Sequence, residues 1–184
     1  MSLKDIIEKV SEQMLRRFGT GDLAELRRMN GPVEPSAYWR LAAECGFLED
    51  DPQRWAPVIR ILAMLTPKGE RRPSDRLHNP MHRLGAVLAD GGDPNWQGGA
   101  DSRPFLSEAR LARFLATPAD QRAEALTGVA RALASSRDRS AGVDCVEIAN
   151  LLLASDTTEA LQKIAQSYYA RLDAARARSE ETTQ

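Results

Sequence analysis

The chain has 184 residues, with 25 basic and 26 acidic side chains and a formal net charge of −1. A freestanding DNA-binding domain is normally more basic, and the apolar runs are too short to span a membrane. Lys4 and Asp5 stand where a signal peptide needs apolar residues. Hydrophobic residues, at 42%, suffice for the core of one domain or of two small ones. We therefore expect a cytoplasmic protein with no membrane partner.

Residues 1–90 are predicted to form an N-terminal helical half. Residues 66–79 contain two prolines, a glycine and many charges, and their apolar residues show no regular spacing. We therefore expect a long loop there. Asn79-Pro80 is predicted to restart a helix that buries Met81. Before the loop, apolar residues recur three and four positions apart in segments 3–18, 22–29, 35–45 and 52–65.

Residues 91–102 are rich in glycine and are predicted to be a flexible connector between the halves. A Gly-Ser replacement of residues 91–99 should therefore lower the unfolding midpoint only slightly. Residues 103–178 read as a C-terminal bundle of four helices, and residues 179–184 as a frayed tail. The predicted fold is all-α, with about eight to nine helices in two small halves.

The first helix of the second half, residues 106–115, combines an apolar stripe with two arginines. Ser107 is a favourable N-cap residue, and Leu111 and Phe114 lie on one face. At about 100° per residue, Arg113 points away from that face and Arg110 lies at its margin. The two guanidinium groups can bind a carboxylate or a phosphate.

The sequence contains no recognisable catalytic, cofactor or metal site. His78 and His82 are four residues apart, as in a helical zinc pair, but Pro80 lies between them and no third ligand is near. The glycines of the connector lack a dinucleotide fingerprint and a P-loop lysine. Cys45 and Cys145 lie in apolar segments, so we expect buried free thiols.

Basic side chains are concentrated in three segments. Residues 66–83 contain five basic and two acidic side chains, whereas residues 103–113 and 131–139 each contain three basic and one acidic. Arginine outnumbers lysine in these segments and suits phosphate and carboxylate equally. Together with an Arg-Arg pair near the N-terminus, they supply our candidate nucleic-acid-binding residues: Arg27, Arg28, Lys68, Arg71, Arg72, Arg76, Arg110, Arg113, Arg137 and Arg139.

The order of these landmarks resembles the CasB family, the small subunit of the type I-E CRISPR surveillance complex Cascade. The resemblance runs from about residue 20 to about residue 172. It is carried by Leu26-Arg27-Arg28, Ala37-Tyr38-Trp39-Arg40-Leu41, the apolar run 84–89, the helix 106–115, the segment 143–152 and Tyr168-Tyr169.

The resemblance implies a non-enzymatic subunit without a cofactor. Two copies would stack in a complex of crRNA, backbone subunits and a large subunit, steady the R-loop and contact target or non-target DNA. Arg27 and Arg28 match an Arg-Arg pair of the family, Arg110 and Arg113 lie on the matching helix, and residues 68–76 correspond to a basic loop. Two features depart from the family: Cys145 stands where a Trp is frequent, and the acidic balance argues against strong DNA binding by the free subunit.

Two other interpretations remain open. The chain could be a helical adaptor whose arginines bind carboxylates of a partner protein, without touching nucleic acid. It could also be an enzyme with a cofactor pocket between the halves. Arg27, Arg28, Arg110 and Arg113 are all expected to reach water or phosphate rather than the core. Only phosphate binding would produce a steep linear dependence of affinity on log salt.

Overall fold

The structure, a computed structural model, describes residues 1–30, 33–98 and 103–182, the last four as backbone alone. These ranges contain nine helices and no β-strand, so the all-α prediction is confirmed. The helices are α1 Leu3–Arg16, α2 Thr20–Arg27, α3 Ser36–Cys45, α4 Pro52–Leu65, α5 Leu84–Asp90, α6 Glu108–Leu115, α7 Ala119–Ser136, α8 Cys145–Leu153 and α9 Thr158–Thr182.

Short polar side chains begin several helices, as the sequence predicts. The Asp51 carboxylate accepts a hydrogen bond from the Gln53 amide at 2.9 Å and starts α4. The Asp144 carboxylate accepts from the Val146 amide at 3.0 Å and starts α8. Ser107 is the N-cap of α6, but its side chain makes no capping hydrogen bond. These local signals explain why most boundaries lie within a few residues of prediction.

The helices share one hydrophobic core. α5 packs along α9, whereas α4 packs against α2, α7 and α8, and α1 packs against α3 and α8. Buried residues from both sides of the predicted connector, such as Ile59 of α4 and Leu126 of α7, belong to the same cluster. The division into residues 1–90 and 103–178 stays a prediction, although the two segments bury surface together.

α5 and α9 approach closely because Gly85 has no side chain. A Cβ atom at Gly85 would lie 2.0 Å from the Ile164 carbonyl oxygen and 2.8 Å from the Tyr168 amide nitrogen, both in α9. The Tyr168 hydroxyl donates to the Leu106 carbonyl oxygen at 2.5 Å. α9 therefore holds both α5 and the segment that leads into α6.

The described part of the predicted connector, residues 91–98, is packed against α9. The Arg171 guanidinium donates to the Asp90 carboxylate and to the Trp96 carbonyl oxygen, each at 2.8 Å. It also lies 5.3 Å from the centroid of the Trp96 ring. A flexible connector is therefore not shown for these residues, while residues 99–102 lie outside the described part.

Two predicted boundaries differ from the structure. α5 begins at Leu84, four residues after Pro80, and Met81 is 88% exposed instead of buried. The reason is tertiary: the Glu147 carboxylate of α8 accepts the Leu84 amide at 2.7 Å and caps α5 there. α9 continues through part of the predicted tail to Thr182, while residues 183–184 lie outside the described part.

Candidate functional site

The long loop between α4 and α5 is anchored by an arginine at its own centre. Arg71 donates hydrogen bonds to the carbonyl oxygens of Met14 at 2.5 Å and Leu15 at 3.1 Å, and also to that of Phe18. These carbonyls lie at the C-terminal end of α1, where backbone oxygens lack helical partners and the helix dipole favours a cation. Arg71 is half-buried and uses its donors inside the protein.

Arg27 caps a second helix in the same way. Its Nε donates to the Ala63 carbonyl at 2.8 Å and its Nη2 to the Thr66 carbonyl at 3.0 Å. Burial, together with the charge of Arg71, lowers the pKa of this guanidinium. The expectation that Arg27 reaches water or phosphate is wrong, because the end of α2 packs on the end of α4, whose carbonyls need donors.

Arg137 and Arg139 are also engaged internally. Arg137 is 9% exposed and donates to the Leu65 carbonyl at 2.6 Å and the Arg76 carbonyl at 3.2 Å. Burial lowers the pKa of its guanidinium. Arg139 donates to the buried Asp75 carboxylate at 2.5 Å. The structure therefore brings the basic segments 66–83 and 131–139 together, but through side chains that are already partnered.

The other six candidates have exposed side chains that make no hydrogen bond or ion pair with the described residues: Arg28, Lys68, Arg72, Arg76, Arg110 and Arg113. Lys68, Arg72 and Arg76 project from the loop that Arg71 anchors. Its backbone is further fixed by Arg16, which donates to the Arg72 carbonyl at 3.1 Å. The loop is thus a fixed scaffold for three free cations.

Arg110 and Arg113 lie together on a different part of the surface. Both line a groove of about 350 Å³ between α6 and α7, whose floor is largely apolar. No described side chain pairs with either guanidinium. The prediction that both arginines are exposed is confirmed.

Arg17 is a further cation outside the predicted set; it is exposed and has no side-chain partner among the described residues. It follows Arg16, whose guanidinium donates to the Pro73 carbonyl at 3.0 Å, so Arg17 adjoins the basic loop. The pair of cations at the C-terminal end of a helix was the available signal, but such pairs are also explained by the helix dipole.

Both histidines serve the fold. His78 Nδ1 accepts the Cys145 amide at 3.1 Å, while the two ring nitrogens of His82 lie 3.0 Å from the Gly142 carbonyl oxygen and 3.3 Å from an Asp90 oxygen. Across the described ranges, His, Cys, Asp and Glu side chains nowhere cluster in threes that could hold a metal ion. Within those ranges, every helix is too short or too polar to cross a bilayer.

Comparison with known protein families identifies the family of this chain. A family model described as CRISPR-associated protein Cse2 matches residues 22–169, from within α2 to within α9. The chain belongs to the Cse2 family. This is the CasB family of type I-E Cascade small subunits, so the resemblance is confirmed and the chain is a subunit of a CRISPR Cascade complex. Cse2 is not a known enzyme family. Searches of curated proteins and of solved structures gave no match.

Proposed function

We propose that this Cse2 chain is a non-catalytic Cascade subunit that stabilises the R-loop by binding nucleic-acid backbone. The observation that carries the proposal is the division of the candidate cations. Arg27, Arg71, Arg137 and Arg139 donate hydrogen bonds to acceptors inside the protein. The other six are exposed and unpaired among the described residues: Arg28, Lys68, Arg72, Arg76, Arg110 and Arg113.

Unpaired arginines of this kind suit phosphate. The guanidinium group is planar, always charged and matched to the oxygens of a phosphate. Phosphate contacts position a protein on nucleic acid without reading bases, which fits a subunit that must accept any target sequence. The proposed partners are crRNA, target and non-target DNA, the backbone and large subunits of Cascade, and a second copy of this chain.

The overall charge limits what the free subunit can do. With a net charge of −1, long-range attraction to DNA is weak, and binding depends on local cations. We therefore expect tight binding only where the partner subunits complete the basic surface.

The test compares two variants of equal charge in the reconstituted complex. In the first, Arg28, Arg76, Arg110 and Arg113 are changed to Gln. In the control, Lys4, Arg40, Lys163 and Arg176, which form surface ion pairs, are changed to Gln. Each lost phosphate contact should lower the salt slope of target-DNA binding by roughly one unit. The control should keep the slope of the unmodified complex.

The protein-only adaptor is the second candidate function, favoured by the acidic overall balance. It predicts that the first variant fails to join the complex, while the remaining subunits bind DNA with an unchanged salt slope. Normal assembly with a reduced slope supports the nucleic-acid role. Full R-loop formation by the first variant at physiological salt would refute it.

A further inference from the structure

The groove between α6 and α7 has an apolar floor in addition to its two cations. Its floor is formed by Leu106 and Phe114, which are 9% and 5% exposed, and by the half-buried Ala125 and Val129. The groove volume, about 350 Å³, lies at the lower end of the ~300–1,000 Å³ typical of pockets that take small organic groups. This open, shallow hollow can receive one face of a flat ring against its apolar lining.

The charges at its rim are free to receive an anion. Arg110 and Arg113 form no ion pair with the described carboxylates. Glu108 accepts the Tyr169 hydroxyl at 3.4 Å, and Glu124 pairs with Arg60 at 3.2 Å. Neither guanidinium group is therefore neutralised by an ion pair with the described residues.

The floor is also held in place before any ligand arrives. The Leu106 amide donates to the Leu88 carbonyl at 2.9 Å, and the Leu106 carbonyl accepts the Tyr168 hydroxyl at 2.5 Å. The Phe105 amide donates to the Ala89 carbonyl at 2.8 Å. Since the entry to α6 is fixed against α5 and α9, a ligand need not organise it, which lowers the entropic cost of binding.

We propose that this groove accepts an unpaired nucleobase of single-stranded nucleic acid, with the adjoining phosphates bound by Arg110 and Arg113. The inference rests on the proposed function and deepens it. A nucleotide presents one anion beside one flat ring whose faces stack on apolar surface, which is the pairing that the rim and floor provide. In a duplex the ring faces are stacked and inaccessible, so the groove selects single strands.

The test uses the full chain at low salt with two ligands, a short oligothymidylate and a strand of equal length built from abasic nucleotides. Both carry the same phosphates, but only the first carries bases. Wild type should bind the thymidylate about fivefold or more tightly, the scale of one stacked base. Arg110→Gln with Arg113→Gln should weaken the binding of both ligands.

A groove-filling variant separates base binding from phosphate binding. Ala125→Met places bulk on the floor and should remove the preference for thymidylate without changing the affinity for the abasic strand. Ala112→Met is the control, since Ala112 is exposed on α6 and does not line the groove. This control should keep the preference.

The possible outcomes distinguish the base-binding groove from the proposed function on which it rests. Equal affinity of wild type for the two strands overturns the base groove but leaves phosphate binding standing. No binding of either strand, free or in the complex, overturns both. If Ala125→Met keeps the thymidylate preference but fails to join the complex, the groove binds a partner protein and the inference is wrong.

Discussion

The Arg137 guanidinium donates from Nη2 to the Leu65 carbonyl oxygen at 2.6 Å and ties the end of α7 to the end of α4. Arg27 and Arg71 cap the ends of α4 and α1 in the same manner. The last carbonyls of a helix lack internal partners and carry partial negative charge, so each of these arginines satisfies several acceptors at once. Arginine therefore has two uses in this chain, internal cap and free surface cation.

Replacing an internal arginine should destabilise the fold. Arg137→Gln removes the donors to Leu65 and Arg76 from a buried site, so we expect the free energy of unfolding to fall by about 2 kcal/mol. Arg131→Gln, at an exposed position of the same helix, should stay within about 0.5 kcal/mol. Urea denaturation measures both. Equal losses would contradict the internal role of Arg137.

The glycines of two helices should respond oppositely to the same substitution. Gly85→Ala forces a Cβ onto the Ile164 carbonyl of α9 and should separate α5 from α9, at a cost of about 2 kcal/mol or more. A Cβ at Gly128 in α7 meets nothing within 4 Å, so Gly128→Ala should stabilise the protein by about 0.5–1 kcal/mol. Thermal unfolding monitored by circular dichroism distinguishes them, and a neutral Gly85→Ala would disprove the close packing.

Both cysteines should be inert in the folded protein. Burial raises the pKa of the Cys45 and Cys145 thiols from 9.0 to about 12, so at pH 9 they remain protonated when folded and are half ionised when unfolded. Their contribution to stability is complete below pH 9 and is lost as the pH rises toward 12. At pH 9 a disulfide reagent should react slowly with native protein and rapidly in denaturant. Rapid reaction under native conditions would show that the thiols are accessible.

Arg171 should control the order of residues 91–98. Arg171→Gln removes the hydrogen bonds to Asp90 and Trp96 and should increase the rate at which chymotrypsin cleaves after Trp96. Arg176→Gln is the control, because Arg176 lies on the same helix and forms an exposed ion pair with Asp173. Equal cleavage rates for the two variants would mean that residues 91–98 form the flexible connector that composition predicts.

Helix content and most helix boundaries could be predicted because their causes are local. Apolar spacing at Trp55, Val58 and Leu62 defines the buried face of α4, and Asp51 starts it through a contact two residues away. The family resemblance depends on the same local landmarks in their order. The exposure of Arg110 and Arg113 follows from helical geometry alone, since their angle to Leu111 and Phe114 places them outside the buried stripe.

Whether each of the other arginines is exposed or bound to internal acceptors depends on tertiary structure alone. Arg27 and Arg28 are neighbours in the sequence, yet Arg27 caps α4 through an acceptor 36 residues away while Arg28 remains exposed. Arg71, Arg137 and Trp96 likewise depend on distant partners. A guanidinium suits water, phosphate and a helix C-terminus equally. Sequence by itself therefore determined where the helices and cations lie along the chain, and packing determined which cations remain free, because only packing brings unpaired carbonyls within reach.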